Sequence, residues 1–443
     1  MSRSVRKSAA FFLVCVVGAG VLISQSSGQR SNSLETVLAA AGSARWFRGN
    51  LHTHSYWSDA DDYPEMIAVW YRDRGYQFLG FSDHNTTQTG QRWIDAKSNK
   101  LRERAYEKLR ARFPEGWVEE RTHDDKFQVR LKTFDELAAK LNVRGEFLLI
   151  RGEEITDHFR RSIPVHLGAV NLKTPLPPMR GDSVYDTMQN NVDAVIAQRE
   201  RTGQPMIVHL NHPNFGFGIT AEDLMRVRGE NFFEVYNGHP SVLNEGDAAH
   251  ASAERIWDIV LTWRIDRLGL PLMYGLASDD GHNYHAIPSR GSDPGRGWLM
   301  VLADDLSAPT LIDALENGRF YATTGVTLRE VRSSARKLTV ATEPVAGETM
   351  TIEFFGTRKG FDSSREPVID GRGRPVRTTK KYSSDVGCLL KSATAAEATY
   401  EFQGDELYVR ARVTSSRRHP DPSTPGEFER AWVQPVKGPA APR

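Results

Sequence analysis

Two histidines one residue apart, His52 and His54, stand in the stretch Asn50-Leu51-His52-Thr53-His54-Ser55, and Asp59 follows shortly after. Side chains alternate faces along an extended segment with period two, so these imidazoles project to one side and offer two nitrogens to one metal ion. Residues of the same chemical kind recur downstream as Asp83-His84, Glu153-Glu154, His166, His209, His212 and Asp279-Asp280-Gly281-His282. Mixed imidazole and carboxylate donors without cysteine suit borderline divalent ions such as zinc, manganese or iron. Metal-assisted hydrolysis needs no activated serine or cysteine.

Such a set is useful only if elements far apart in the chain deliver it to one place. Apolar runs end at many of these residues: 76–81 before Ser82-Asp83-His84, 147–151 before Gly152-Glu153-Glu154, 205–208 before His209-Leu210-Asn211-His212, and 271–277 before Ser278-Asp279-Asp280. The run 165–170 carries His166, and 232–236 ends at Asn237-Gly238-His239. Helical signals lie between them. Pro64 opens one helix and Gly75 closes it, Thr133 and Glu136 form a capping box, 184–201 runs to Gly203, Thr220 caps a helix, and 248–268 reads as another. Strands separated by helices imply right-handed crossovers around a parallel sheet. A parallel barrel gathers the C-terminal ends of its strands at one mouth, where His52, His54, His84, Glu154, His166, His212, Asp280 and His282 would converge.

Residues 86–132, rich in Arg, Lys, Glu and Gln, read as a helical insertion over that mouth. From 329 onward short alternating runs at 337–341, 350–355, 399–402 and 406–413 suggest a β-rich appendage over 329–443, with a proline-containing tail from 415 that is loose or lies along the surface. The chain has 443 residues and 39% hydrophobic content, enough for one large domain with a smaller addition. Its net charge of +1, from 57 basic and 56 acidic residues, gives no large positive field for a nucleic acid, and a small charged or polar substrate fits better. Residues 1–30 combine Arg3, Arg6 and Lys7 with an apolar run over 9–23, the pattern of a signal peptide or an N-terminal anchor. The protein is therefore expected to be exported: periplasmic, extracellular or anchored through its N-terminus, with no stable membrane span unless that segment is retained. Cys15 lies within the apolar run, which leaves Cys388 as the only thiol of a processed chain.

Taken in order, His52-Thr53-His54-Ser55, Asp59, Asp83-His84, Gly152-Glu153-Glu154-Ile155, His166, Asn211-His212-Pro213 and Asp280-Gly281-His282 resemble the PHP (polymerase and histidinol phosphatase) superfamily over roughly 47–325. The resemblance implies an α/β fold, a distorted seven-stranded β/α barrel (TIM-like) over 47–328, and two or three divalent metal ions serving hydrolysis, most often of phosphate esters. It implies His52, His54, Asp59, His84, Glu154, His166, His212, Asp280 and His282 as ligands, with His52, His54, Glu154 and Asp280 central to catalysis and a metal-bridging hydroxide as nucleophile. Glu154 matches the family's bridging carboxylate and Asp280 its late aspartate, although Glu153 and Asp279 stand beside them as alternatives. Asn50 replaces the aspartate that many relatives carry before the HxH motif.

His209, His239 and His285 have no clear family match; substrate-binding, proton-transfer and purely structural roles stay open for them. Arg290 and Arg296 could clamp an anionic substrate or be solvated loop charges. Trp57, beside the ligands, either lines the pocket or packs. The leading expectation is a phosphoesterase acting on a small anionic substrate. Gly318-Arg319-Phe320-Tyr321-Ala322-Thr323-Thr324-Gly325 also looks like a PHP branch that includes carbamate and carboxylic ester hydrolases. A non-catalytic exported protein that binds metal or ligand is the third reading.

Overall fold

The computed structural model describes residues 36–40 and 42–442. The signal or anchor expected over 1–30, with Cys15, lies outside the described residues. Among the described residues no helix is long and apolar enough to cross a membrane.

The fold is a mixed α/β structure built on one sheet of 13 strands. The first part of it comprises β1 (Arg45–Asn50), β2 (Phe78–Phe81), β3 (Leu148–Phe159), β4 (Ile163–Val170), β5 (Ile207–Leu210), β6 (Phe232–Asn237) and β7 (Tyr274–Ser278), neighbours in chain order. The chain then adds β8 (Trp298–Ala303), β9 (Phe320–Thr323), β10 (Met350–Arg358), β11 (Cys388–Thr394), β12 (Glu406–Arg418) and β13 (Phe428–Lys437). The full order is β7-β6-β5-β4-β3-β2-β1-β8-β9-β13-β12-β10-β11.

β1, β2 and β3 are parallel, as are β5, β6 and β7. β4 departs from the expected parallel arrangement, running antiparallel to both neighbours. Only Arg160, Arg161 and Ser162 separate β3 from β4, far too few for a crossover, so the chain must turn back as a hairpin. Both arginines take left-handed backbone angles, with φ of 51° and 62°.

Among the described residues the sheet does not close into a continuous barrel. β1 spends its outer edge on β8, and the extensions of β1 and β7 meet through one parallel bridge, Thr53 with Gly281. There the His54 N–H donates to Gly281 O (3.2 Å) and the Asp280 N–H to His52 O (3.1 Å), which joins the His52-Thr53-His54 and Asp280-Gly281-His282 segments through the backbone. Further down, the edge of β7 is met by a side chain of β13. The Gln434 amide accepts from Gly275 N–H (2.9 Å) and donates to Gly275 O (2.8 Å), as a paired strand would.

Of the helices α1 (Pro64–Arg72), α2 (Lys100–Arg112), α3 (Phe134–Leu141), α4 (Val184–Thr202), α5 (Ala253–Trp263) and α6 (Ala308–Glu316), α1 starts at its first-turn proline without a side-chain cap and the others start at an Asn, Ser or Thr cap. Thr133 and Glu136 form the reciprocal capping box of α3, and Gly203 ends α4 at φ 66°. The insertion over 86–132 is not simply helical: besides α2 it holds an antiparallel sheet of Trp93–Asp95, Lys126–Arg130 and Glu120–His123. Its hairpin turns at Asp124 and Asp125, both at positive φ (48° and 56°), where the usual Asn-Gly or Asp-Gly signal is absent.

The residues expected as an appendage continue the main sheet through β10 to β13; Thr36–Leu38, Leu328–Ser333, Lys337–Thr342 and Glu397–Glu401 form a separate four-stranded sheet. The expected loose tail is corrected as well. β13 lies between β9 and β12 with Ala431, Trp432 and Val433 buried, and Pro420, Pro422 and Pro425 are confined to the connection before it.

A buried ion pair ties this part of the sheet to α5. Arg410 donates to both oxygens of Asp258 (2.8 and 2.7 Å), and Tyr408 donates to the same carboxylate (2.8 Å). Arg410→Met leaves Asp258 buried without its cation and is expected to cost about 3–5 kcal/mol in denaturant unfolding. A wild-type midpoint in that variant would contradict this role.

Candidate metal centre

The cluster is assembled where the strands end. His52 and His54 follow β1, His84 follows β2, Glu154 and His166 lie within the β3–β4 hairpin, His212 follows β5, and Asp280 and His282 follow β7. Because β4 runs antiparallel, His166 reaches the same end from the first half of its strand. The period-two expectation for His52 and His54 is met: both are fully buried, and their Nε2 atoms face one another at 3.1 Å.

Glu154 sits at the centre, 1% exposed. Its Oε1 lies 3.5 Å from His52 Nε2, 3.2 Å from His166 Nδ1 and 3.1 Å from His212 Nε2. Its Oε2 lies 3.6 Å from His54 Nε2 and 2.8 Å from His84 Nδ1. Asp280 Oδ1 adds contacts of 3.2 Å to His52 and 3.1 Å to His54. Asp59, the one exposed member, reaches His282 Nε2 (3.3 Å) and His84 Nε2 (3.5 Å) at the outer end. Three overlapping groups have donors spaced to hold an ion: His54, Asp59, His84 and His282; His52, His54 and Asp280; His52, Glu154 and His212.

The donor chemistry fits divalent cations. Two imidazole nitrogens face each other at 3.1 Å, and a buried His166 Nδ1 makes no hydrogen bond despite the nearby carboxylate, so these rings, once deprotonated, would direct lone pairs inward. Burial opposes the charged form of Glu154 and Asp280, yet the neighbouring histidines hold both carboxyls well below their ordinary range. Burial likewise opposes protonation of His84, and Asp59 and Glu154 outweigh it to push the ring up to about 10. His54, desolvated and beside His282, falls to about 4. The carboxylates thus require positive charge among them, and protons or metal ions compete to supply it.

Both neighbouring-residue alternatives separate on strand geometry. Glu153 points away from the cluster, accepting from Leu176 N–H (2.7 Å), and burial pushes its carboxyl up to about 7. Asp279 accepts from Tyr71 OH (2.9 Å) and Gly297 N–H (2.8 Å). Asn50 supports the main chain, donating to His52 O (3.0 Å) and Thr53 Oγ1 (2.9 Å).

The orientation of His52 comes from a residue the sequence reading passed over. Glu234 Oε1 meets His52 Nδ1 at 2.7 Å and also accepts from Ser278 Oγ (2.6 Å), while Oε2 accepts from His212 N–H (2.8 Å) and Asn237 Nδ2 (2.8 Å). A glutamate inside the apolar run Phe232-Phe233-Glu234-Val235-Tyr236 was the available signal, since an unpartnered charge is rarely buried. Asn211 and Asn237 were also missed; they donate to Glu154 Oε1 (2.8 Å) and Asp280 Oδ2 (3.2 Å). Asp83 fixes the turn after His54 by accepting from Ser55 N–H (2.7 Å) and Ser58 Oγ (2.7 Å).

Of the candidate substrate residues, Arg296 is excluded from that role: it is 1% exposed and spends its donors on Gly238 O, Gly291 O, Asp293 and Asp421. Arg290 is exposed and has no hydrogen-bond or ion-pair partner among the described residues. His209 is buried beneath the cluster with neither ring nitrogen hydrogen-bonded, and desolvation lowers it to about 4. His239 stands beside His282, ring centroids 5.6 Å apart, and its Nδ1 accepts from Ser241 N–H. His285 links Asp61 O (2.7 Å) to Lys108 of α2 (3.3 Å), and Trp57 is buried with its N–H on Lys132 O (2.9 Å), so both fasten the insertion to the loop carrying Asp59.

No known family profile and no curated protein matches the sequence. Among solved structures the chain is similar to a two-domain protein from Bacteroides vulgatus described as containing a predicted PHP-like metal-dependent phosphoesterase (16% identity, 92% of this chain and 100% of that one, TM-score 0.37). It is also similar to a candidate metal-dependent phosphoesterase from Bifidobacterium adolescentis (14% identity, 53% and 87%, TM-score 0.28) and to PsfC from Pseudomonas syringae (12% identity, 58% and 82%, TM-score 0.29). What the site can do follows from its own side chains.

The two adjacent glutamates should behave oppositely when replaced by Gln. Glu154→Gln is expected to lower the bound metal measured by elemental analysis, whereas Glu153→Gln keeps it. With a folded value near 7 against an ordinary 4.5, Glu153 holds a proton that the unfolded chain has released, so it contributes less stability as pH rises through that window. Glu153→Gln should therefore gain stability over wild type progressively from about pH 5 to 7. Equal metal loss in both variants would contradict the assignment.

Proposed function

We propose that this chain is a metal-dependent hydrolase of small phosphate esters. The supporting observation is the division of the Glu154 carboxylate, with Oε1 toward His52, His166 and His212 and Oε2 toward His54 and His84, the arrangement of a carboxylate shared by two cation positions. On this reading His52, His166 and His212 would hold one ion and His54, Asp59, His84 and His282 another, with Glu154 between the two sets and Asp280 beside His52 and His54; a third ion is compatible with the donor set. Divalent zinc, manganese or iron bound there would supply Lewis acidity and lower the pKa of water.

The remaining steps belong to the protein. Glu234 Oε1, 2.7 Å from His52 Nδ1, would hold a proton on that nitrogen, so that the neutral ring would present Nε2 as the lone-pair donor to the cluster. Asn211 and Asn237 hold Glu154 and Asp280 in place by single N–H donations. Asp59, Glu154, Glu234 and Asp280 together repel an anionic ester until cations offset them, so substrate affinity and metal loading are linked. Arg290 is the candidate guanidinium for the outer side of the substrate.

The test is hydrolysis by purified chain reconstituted with each metal, comparing p-nitrophenyl phosphate, bis(p-nitrophenyl) phosphate and p-nitrophenyl acetate. Phosphate ester turnover is expected, abolished by chelator and restored by metal. His52→Ala and Asp280→Ala should each lower it more than about a hundredfold, beyond the usual cost of disturbing a ligand's supporting partner, with unchanged circular dichroism. Full activity in either variant removes the assignment. Clear preference for the acetate replaces it with a carbonyl ester hydrolase.

A further inference from the structure

One apolar side chain at the rim of the cluster is unaccounted for by packing. The ring centroid of Phe215 lies 5.2 Å from that of His212, 6.0 Å from that of His166 and 6.3 Å from that of His239. It is half-buried and belongs to none of the three apolar clusters found among the described residues. A phenylalanine that fills no core and borders three imidazoles presents an aromatic surface to whatever enters the site.

Its surroundings hold it still. The backbone of Phe215 pairs with Val242 in an antiparallel bridge, and its N–H donates to His212 O (2.9 Å). The preceding Asn214 side chain donates to Leu243 O (2.8 Å) and Ala251 O (3.0 Å). His212 and Phe217 adopt positive φ (21° and 50°), a conformation that non-glycine residues rarely take without surrounding support. Phe217 stacks on His250 with centroids 3.6 Å apart and planes within 5°. The loop is thus fastened on both sides of Phe215, and the ring is positioned before any ligand arrives.

We infer that Phe215 is a specificity-determining platform that receives a planar, aromatic or heteroaromatic group on the alcohol side of the ester. This inference rests on the phosphoesterase reading and narrows its substrate to aryl-type or nucleoside-type phosphates. His212, which joins the Phe215 loop directly to the metal-binding set, keeps the platform and the phosphate position at a fixed separation. An aliphatic ester would gain nothing from the ring face, whereas a planar group gains an offset-stacked or edge-to-face contact.

The experiment uses the full chain reconstituted with metal and two non-hydrolysable probes, phenylphosphonate and methylphosphonate, with affinities measured calorimetrically. Wild type is expected to prefer the phenyl probe about two- to tenfold. Phe215→Ala and Phe215→Leu should bring that ratio close to one, and Phe215→Tyr should keep it; the leucine variant retains bulk if alanine disturbs the loop. In kcat/KM for phenyl against methyl phosphate the better phenol leaving group raises the ratio in every variant, so the expected readout is a drop of about two- to tenfold in that ratio from wild type to Phe215→Ala. A wild-type ratio retained in Phe215→Ala, or equal loss of both probes, overturns the platform. Methylphosphonate binding without phenyl preference in wild type overturns the platform alone. No binding of either probe, with no phosphate ester turned over, removes the phosphoesterase reading and the platform with it.

Discussion

Burying Glu154 among imidazoles is the constraint on which the rest of the site depends. A carboxylate taken out of water costs several kcal/mol unless charge and hydrogen bonds replace its hydration. Here one oxygen accepts from Asn211 and faces three histidines, and the other faces two more. No single strand could supply that number of partners. A sheet whose successive strands end at one place can, because each contributes one or two residues without bending its backbone. The same demand explains why further buried polar groups, such as Glu234 beside His52 and His212 and Asp83 under the turn after His54, gather around the strand ends.

Part of the site's geometry was legible because its signals are local: strand periodicity places His52 with His54, and the apolar runs mark where the strands stop, whereas Glu154 was preferred over Glu153 only through the family resemblance. What escaped the sequence reading depends on pairing across the chain. Glu234 reads as one charge in an apolar run until β6 is placed beside β7 and the HxH segment. Arg296 reads as a mobile loop guanidinium until β12 and its following loop bring Asp421 to it. The β3–β4 hairpin was concealed because a short basic turn looks like a surface loop, whatever strands flank it.

The C-terminal strands show the same limit more plainly. Alternating apolar residues announced β structure, but alternation carries no information about which edge a strand joins. β13 was hidden by the run Pro420, Pro422 and Pro425 in its connection and by Pro435 within the strand near its end. Its insertion between β9 and β12 turns what reads as an addition into a continuation of the sheet, fastened to α5 by Arg410 and Asp258.

Gln434 gives that continuation a meaning beyond packing. The last strand of a parallel array normally leaves a row of unpaired backbone groups, an invitation for a foreign strand to add itself. On β7 the primary amide of Gln434 occupies the two hydrogen-bonding positions of Gly275 and thereby caps the edge with a side chain in place of a neighbouring strand. The strand that delivers Asp280 and His282 is therefore shielded from intermolecular pairing by a residue near the far end of the sequence. Protection of the strand edge beside the histidine cluster is in this sense a property of the C-terminal strands as well.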